Sequence, residues 1–353
     1  MSPIYFAGRG LACSLGLGME QALANLRQGG AHITQVTLPG AMAGDYPFHA
    51  IPSSQTDWNE RARELVQRVA AEAGAQQIRD GVLLIATSSF DIGAVERGVT
   101  QMDYQAFASK VAAWLEWTGP VHVVNTACTS SLNALLAAQA LLRGGAATDV
   151  LVLGIELENR LTLCGFAALQ LLSRTSSKPF GAQRDGLVLG EAVAALRLST
   201  RETGRWRLAG GANVVDGMQP TGAAATAVSE MCRQALTDSG MAAGAIDLIK
   251  VQAAGSPGND AAEAQGLRAA FDVVPPLVSL KAAMGHTMGA SGAAEIALLT
   301  ACLEQGAWPR LSYESDPDLG VTLATNPPKN VRRMMATILG FGGSHATVVV
   351  ERA

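Results

Sequence analysis

Several kinds of residue are scarce in this 353-residue chain, and each scarcity argues against a class of protein. Aromatic residues make up 5% of the chain, charged residues 16%, and the formal net charge is −4. No cluster of lysine and arginine stands out, which argues against a nucleic-acid partner. Apolar runs are interrupted before they reach membrane-spanning length, so we predict no membrane span.

Cysteine is also sparse. The five cysteines are scattered and never form a C-x-x-C pair, which argues against a disulfide framework and a zinc site. The opening residues, MSPIYFAGRG, show none of the features of a secretory signal. No metal or nucleotide motif is found. We therefore expect a cytoplasmic protein that uses neither a metal nor another cofactor.

What the chain does contain is an alternation of short apolar segments with amphipathic or alanine-rich ones, which predicts a mixed α/β fold. Predicted strands cover 81–86, 121–124, 150–155, 192–198, 248–251, 278–280, 334–339 and 347–351, and predicted helices cover 58–73, 104–117, 131–143, 223–239, 260–271 and 291–305. Residues 4–10 and 206–211 are similar glycine-containing apolar segments, a faint internal echo that does not by itself establish a duplication.

One turn carries the strongest chemical signal. The predicted strand at 121–124 runs through TACTSS, residues 126–131, directly into the predicted helix. Cys128 would then lie at or near a helix N-terminus, where free N–H groups and the helix dipole favour a thiolate. A buried core position is the commonest fate of a free cysteine. Small neighbours on both sides leave room for a substrate, so we interpret Cys128 as a nucleophile.

Four motifs in order resemble those of the β-ketoacyl-acyl-carrier-protein synthases. Residues 126–131 resemble the nucleophile motif, and KPF at 178–180 with RDGLVLGE at 184–191 resembles a second family segment. SLKAAMGH at 279–286 and GFGGS at 340–344 resemble the other two. The resemblance implies a thiolase-like fold: two βαβαβαββ halves in a five-layer α-β-α-β-α sandwich, with units at 1–204 and 205–353, usually assembled as a dimer.

The resemblance also implies roles for individual residues. Cys128 would take an acyl chain from an acyl carrier protein as a thioester in fatty-acid or polyketide, including aryl-polyene, biosynthesis. His286 would assist decarboxylation of a malonyl-carrier, and Lys281 would support the site with Glu295 as its acidic partner. The N–H groups of Cys128 and Phe341 would form an oxyanion hole. The candidate substrate-binding residues are Ser256, Thr287, Gly342, Gly343 and His345.

The chain departs from the family where a second catalytic histidine is expected. The matching stretch, 251–263, reads VQAAGSPGNDAAE, and Ala254 occupies the histidine position. The paired threonines that contact the pantetheine arm are also missing, which leaves Ser256 as a hydroxyl donor. His345 is a candidate substitute acid or base, or else a polar anchor for the glycine-rich loop.

Three functions stay open at this point. The first is an acyltransferase of the ketosynthase type, with its own condensation activity in doubt. The second is a chain-length-factor-like subunit that pairs with an active ketosynthase; it fits Ala254, although such partners commonly lose the cysteine that is kept here. The third is a thiolase-type enzyme acting on coenzyme A thioesters, which the loop at 340–343 fits less well. The predicted partners are therefore an acyl carrier protein and a second copy or a second ketosynthase.

Overall fold

The computed structural model describes residues 2–98, 103–217 and 220–353. Its strands are β1 (Ile4–Cys13), β2 (Gly16–Leu17), β3 (Ile33–Leu38), β4 (Gly44–His49), β5 (Val82–Ala86), β6 (Val121–Val124), β7 (Asp149–Glu156), β8 (Ala192–Ser199), β9 (Trp206–Val215), β10 (Leu248–Lys250), β11 (Leu277–Val278), β12 (Arg333–Leu339) and β13 (Ser344–Arg352). Its helices are α1 (Met19–Gln28), α2 (Trp58–Glu72), α3 (Ile92–Val95), α4 (Tyr104–Trp114), α5 (Ser130–Arg143), α6 (Arg160–Ala168), α7 (Ala225–Ser239), α8 (Pro257–Ala270), α9 (Lys281–Met284) and α10 (Ser291–Gln305).

The strands form two five-stranded arrays with the same order. The first array runs β6-β5-β7-β8-β1 and the second β11-β10-β12-β13-β9. In each array the first three strands are parallel, and the fourth is antiparallel to both of its neighbours. The arrays join where β1 pairs with β9 at Ile4 and Tyr5. The faint sequence echo therefore has a structural cause, because β1 and β9 are equivalent strands of a duplicated fold.

The helices and strands form five layers, which pack on one another through three apolar clusters. Helices α2 and α4 cover the outer face of the first array, and α7 and α8 cover the outer face of the second. Helices α1, α5 and α10 lie between the arrays. The predicted α-β-α-β-α sandwich is confirmed, and the unit boundary at 204/205 stays a prediction.

The sequence of each helix matches its layer. Helix α2 buries residues three or four positions apart, among them Leu65 and Val69, and the Asp57 carboxylate caps its start by accepting the N–H of Glu60. Helix α10 instead buries every residue from 291 to 302. A helix with apolar or small residues all round belongs in an interior layer, and α10 lies in the central one.

The predicted strands and helices all coincide with observed ones, with ends that differ by up to three residues. The sequence analysis missed α1, α6 and the β3–β4 hairpin. This hairpin is separate from the two large arrays and becomes important at the site below. Among the described residues, no helix is both long enough and apolar enough to cross a membrane.

Candidate active site

Cys128 lies in the turn between β6 and α5, as predicted. Ala127 adopts a positive φ of 53°, which turns the chain sharply before the cysteine. The Ser130 hydroxyl donates to the Ala127 carbonyl at 2.6 Å and accepts the Thr126 N–H at 3.0 Å. The Thr129 hydroxyl donates to the Thr126 carbonyl at 2.6 Å. Small hydroxyl residues on both sides of Cys128 therefore hold the turn rigidly.

The turn brings Cys128 against His286, although the two residues are 158 positions apart. The Cys128 Sγ lies 3.1 Å from His286 Nε2, and His286 Nδ1 lies 3.2 Å from the Ser291 hydroxyl oxygen. Gly285, at φ 73°, lets the chain leave α9 in a direction that a side chain would block, since a Cβ there would lie 3.0 Å from the Leu189 carbonyl. With Nδ1 protonated toward Ser291, Nε2 is free to accept the thiol proton.

Both members of this pair are neutral in the resting site. Burial raises the pKa of Cys128 to about 11, while Lys281 pulls it downward and Glu156 pushes it further upward. Burial, with added repulsion from Lys281 and Lys250, holds the pKa of His286 well below its ordinary value. The expectation of a resting thiolate is therefore wrong. Cys128 is buried two residues ahead of the first residue of α5, and desolvation outweighs the helix start.

A buried group of three charges lies behind this pair. The side chains of Lys281, Glu295 and Lys250 are all fully buried. Lys281 Nζ contacts Glu295 Oε1, as predicted. Lys250 Nζ donates to Glu295 Oε2 at 2.7 Å and to the Thr337 carbonyl at 2.7 Å. Although burial raises the pKa of Glu295, the two ammonium groups hold it below its ordinary value.

Lys250 was missed by the sequence analysis, although a signal was present. It is the charged residue in LIKV, residues 248–251, an otherwise apolar segment predicted as a strand. A cation in a buried strand requires a buried partner. The sequence could not show that this partner would be Glu295, which the family resemblance had already assigned to Lys281.

The glycine-rich loop between β12 and β13 reaches Cys128 through its backbone. The N–H groups of Phe341 and of Cys128 itself lie close enough to Sγ to lower the pKa of Cys128, against the larger effect of burial. Gly343 has φ 80°, and a Cβ there would lie 1.6 Å from the Asp216 carbonyl oxygen, so only glycine fits. The Phe341 ring stacks on Phe166 of α6, with ring centroids 5.2 Å apart. The loop therefore brings the backbone of Phe341 beside Cys128.

Ala254 lies in an apolar environment. It belongs to an apolar cluster whose other members come from the β3–β4 hairpin, α6 and the segments beside His286; they are Leu38, Tyr46, Phe48, Leu163, Ala167, Leu187, Leu189 and Met288. The backbone around Ala254 is held by Asp260, whose carboxylate accepts the N–H groups of Ala254 and Gly255, each at 3.1 Å. The position where the family resemblance places a histidine thus carries a methyl group packed against hydrocarbon.

This apolar cluster adjoins the catalytic pair. Leu189 bridges to His286 in a short strand-like contact, and the His286 N–H donates to the Val188 carbonyl at 2.8 Å. Phe166, which stacks on Phe341, also packs against the cluster. The apolar cluster that contains Ala254 therefore reaches the backbone of His286 and the ring of Phe341.

The structure places the candidate substrate-binding residues unevenly. Thr287 follows His286, and its hydroxyl oxygen lies 3.2 Å from that of Ser291. Gly342 and Gly343 lie in the loop of Phe341. Ser256 precedes α8, and its carbonyl accepts the Asp260 N–H at 2.9 Å. Binding of substrate by these residues stays a prediction.

His345 faces away from Cys128. The preceding Ser344 directs its hydroxyl toward Thr129, with 3.0 Å between the two oxygens, and successive side chains on β13 point to opposite faces. The His345 ring is fully buried, and its Nε2 lies 4.0 Å from Asp216 Oδ2. The hypothesis of a substitute acid or base is therefore not supported, and the alternative of a polar residue behind the loop agrees with this position.

A cysteine–histidine pair at the meeting point of two duplicated halves defines a thiolase-fold protein. The family model of the β-ketoacyl synthase N-terminal domain matches residues 67–204, and that of the C-terminal domain matches residues 207–313. The chain therefore belongs to the β-ketoacyl synthase family, as the sequence motifs predicted.

Individual relatives agree with this assignment. The chain is similar to erythronolide synthase EryA2 of Saccharopolyspora erythraea, at 32% identity over 70% of this chain and 8% of that protein. It is also 29% identical to a putative polyketide β-ketoacyl synthase 1 of Streptomyces virginiae, over 70% of this chain and 64% of the relative, slightly less than two thirds. The solved ketosynthase ApeO in complex with its chain length factor ApeC, from Xenorhabdus doucetiae, has a similar fold. It matches with a TM-score of 0.86 at 23% identity over 100% of this chain and 98% of that one.

Proposed function

We propose that this chain is an acyltransferase of the ketosynthase type that takes an acyl chain from an acyl carrier protein onto Cys128. One observation carries the proposal: Cys128 Sγ lies 3.1 Å from His286 Nε2, with the backbone N–H groups of Cys128 and Phe341 close by. A nucleophile, a base and a pair of oxyanion donors are the groups that thioester exchange requires.

The acylation step follows from this geometry. Sγ attacks the carbonyl carbon of the incoming thioester while His286 Nε2 accepts the thiol proton. The tetrahedral oxyanion that forms is stabilised by the N–H groups of Cys128 and Phe341. The bond to the carrier sulfur then breaks, and the carrier thiolate takes the proton from His286. Cys128 and His286 are both uncharged before the reaction, so neither side chain carries the cost of a buried charge.

The second half-reaction is less well equipped. Decarboxylation of a malonyl-carrier produces an enolate that two histidines would stabilise in the family pattern, and here Ala254 replaces one of them. Loss of one oxyanion-type donor typically costs about 10²–10³ in rate. We therefore propose that acylation of Cys128 is efficient and that decarboxylative condensation by this chain alone is slow. The acyl chain would pass to a carbon or to another nucleophile.

Intact-mass measurement with acyl-carrier and acyl-coenzyme A donors tests the proposal. The expected result is an adduct of one acyl group that is absent in Cys128→Ala. Cys164→Ala is the matched control, since Cys164 is a partly exposed cysteine on α6 whose loss should leave the adduct unchanged. The absence of any adduct, or an equal adduct in Cys128→Ala, would contradict the proposal.

A second candidate function is a chain-length-factor-like subunit that pairs with an active ketosynthase. The apolar surroundings of Ala254 favour it, because they suit a subunit that does not condense. Retention of the complete Cys128–His286 pair counts against it. Co-expression with a ketosynthase encoded nearby separates the two functions: a stable heterodimer whose activity survives Cys128→Ala would favour the subunit.

We also propose that the chain forms a homodimer or a heterodimer through β6. This strand is the edge of the first array, and Val121, Val123 and Val124 on it are only partly buried. An edge strand with unpaired N–H and C=O groups is a ready site for pairing with another chain. The free cysteines agree with a cytoplasmic location, which we retain as part of the proposal.

A further inference from the structure

Lys250 occupies a position that the proposed mechanism does not use. It ends the apolar strand β10, its side chain is fully buried, and it points into the central layer, where it meets α10 and β12. Its ammonium group donates to Glu295 Oε2 and to the Thr337 carbonyl, each at 2.7 Å. A lysine in such a place is expensive to bury and requires compensation.

Lys250 and Lys281 contact the same carboxylate. The carboxylate of Glu295 lies between two ammonium groups, with one oxygen on Lys250 and the other on Lys281. Glu263 of α8 is a second carboxyl group that acts on Lys250 and raises its pKa, against the lowering by burial. Its oxygens accept hydrogen bonds from the N–H groups of residues 252 and 253 and from the Thr337 hydroxyl. Burial raises the pKa of Glu263. Glu295 is therefore the carboxylate that contacts both cations directly.

The two lysines act on the catalytic pair. After burial, repulsion from Lys281 and then from Lys250 lowers the pKa of His286. Lys281 also lowers the pKa of Cys128, in opposition to burial and to the nearby carboxyl group of Glu156. If Lys281 and Glu295 formed an isolated pair, their charges would cancel and this influence would be weak.

We propose that Lys250 is a positioning residue that shares Glu295 with Lys281, so that a net positive charge remains beside the catalytic pair, favours the Cys128 thiolate and keeps His286 neutral. The inference rests on the proposed role of Cys128 as acyl acceptor. Lys250 and Lys281 thereby supply electrostatic stabilisation at a site to which Ala254 contributes no polar group.

The pH dependence of Cys128 alkylation tests this role. Lys250→Met removes the charge and keeps most of the volume, and the modification of Cys128 by a small thiol reagent is followed by peptide mass spectrometry. Burial lowers the pKa of Lys250 to about 8. Lys250 is thus charged at neutral pH and loses its charge above that value. We expect Cys128 in the unaltered protein to react about threefold faster than in Lys250→Met near pH 7, a shift of about half a pKa unit, and the ratio to approach one above about pH 9.

A packing role would give a ratio that does not change with pH, and that result, or a ratio of one throughout, would overturn the inference. Lys329→Met, at an exposed lysine, is the matched control and should follow the unaltered protein. If Lys250→Met does not fold, Lys250→Gln removes the charge while its amide can still donate to Glu295 and Thr337, and the same ratio is expected. Alkylation needs no acyl donor, so failure of acyl transfer and failure of this inference are distinguishable.

Discussion

Two loops follow neighbouring parallel strands of the second array, and they differ in almost every chemical respect. The segment after β11 carries Lys281 and His286, with the lysine paired to Glu295 and the imidazole in contact with Cys128. The segment after β10 carries Ala254, which packs against leucine, phenylalanine and methionine side chains. The first is a buried polar site in which each group has a partner, and the second is an apolar wall.

The two loops correspond to the two half-reactions of the proposed function, acylation and condensation, and only the first loop keeps its polar side chains. The groups beside the Cys128 sulfur, namely His286 and two backbone N–H groups, are those needed to load an acyl chain. The position expected to complete an enolate site has instead joined the packing of the β3–β4 hairpin and α6. On the proposed function, loading and condensation depend on different loops, and each loop can be altered to test it.

Replacing His286 should have the largest effect. His286→Ala removes the base that accepts the Cys128 proton, and since burial raises the pKa of Cys128 to about 11, little thiolate forms without help. We expect acylation to slow by about 10²–10⁴-fold, the usual contribution of a positioned base. Stopped-time intact-mass measurement gives the rate. A loss of less than tenfold in the acylation rate would show that His286 is not the base that accepts the Cys128 proton.

Glu295→Gln should have the largest effect on stability. The change leaves Lys281 and Lys250 buried without their shared anion, and breaking a buried ion pair typically costs about 3–5 kcal/mol. Urea unfolding followed by circular dichroism measures the loss. Glu314→Gln, at an exposed glutamate, is the control and should change the unfolding free energy by less than about 0.5 kcal/mol. Equal behaviour of the two variants would contradict the structure of the charge group.

Ala254→His tests the apolar loop. An imidazole there is surrounded by hydrocarbon and overfills the cluster, so we expect a loss of about 1–3 kcal/mol in unfolding free energy. We expect no gain in malonyl-carrier decarboxylation, because the paired threonines of the family loop are missing as well. Ala254→Leu adds similar bulk without the ring and separates the packing effect. Release of carbon dioxide above the level of the unaltered protein would contradict this expectation.

Phe166→Leu should have the smallest effect. It removes the ring that stacks on Phe341 while the apolar contact partly remains. An aromatic pair contributes about 0.5–1.5 kcal/mol beyond its buried area, so the acylation rate should fall by about two- to tenfold. Rates with short and long acyl donors measure it, and Leu169→Ala, an exposed residue just beyond α6, is the control. An unchanged acylation rate with both donors would show that the contact between Phe166 and Phe341 does not affect acylation.

Much of the site was predictable because its signals are local in the chain. The strand–turn–helix around Cys128 and the glycine-rich segment at 340–343 are short patterns whose geometry follows from small residues and glycine. The prediction of a resting thiolate was wrong, because the burial of Cys128 in the folded protein raises its pKa and no local sequence pattern reports burial.

Other features depend on contacts between distant segments. The orientation of His345 away from Cys128 follows from its register on β13, and the β3–β4 hairpin that packs around Ala254 is more than 200 residues away from it in the chain. Lys250 was visible as a charge in an apolar strand, but its partner depends on how α10 packs between the arrays.

The sequence by itself determined the family and an α/β fold, and it predicted Cys128 as the nucleophile, because these depend on periodicity and short motifs. Only the tertiary structure decided which groups surround Cys128 and in what charge state. Desolvation and Coulomb interactions depend on distances in space, and the groups that set them here come from β7, β10, α9 and α10.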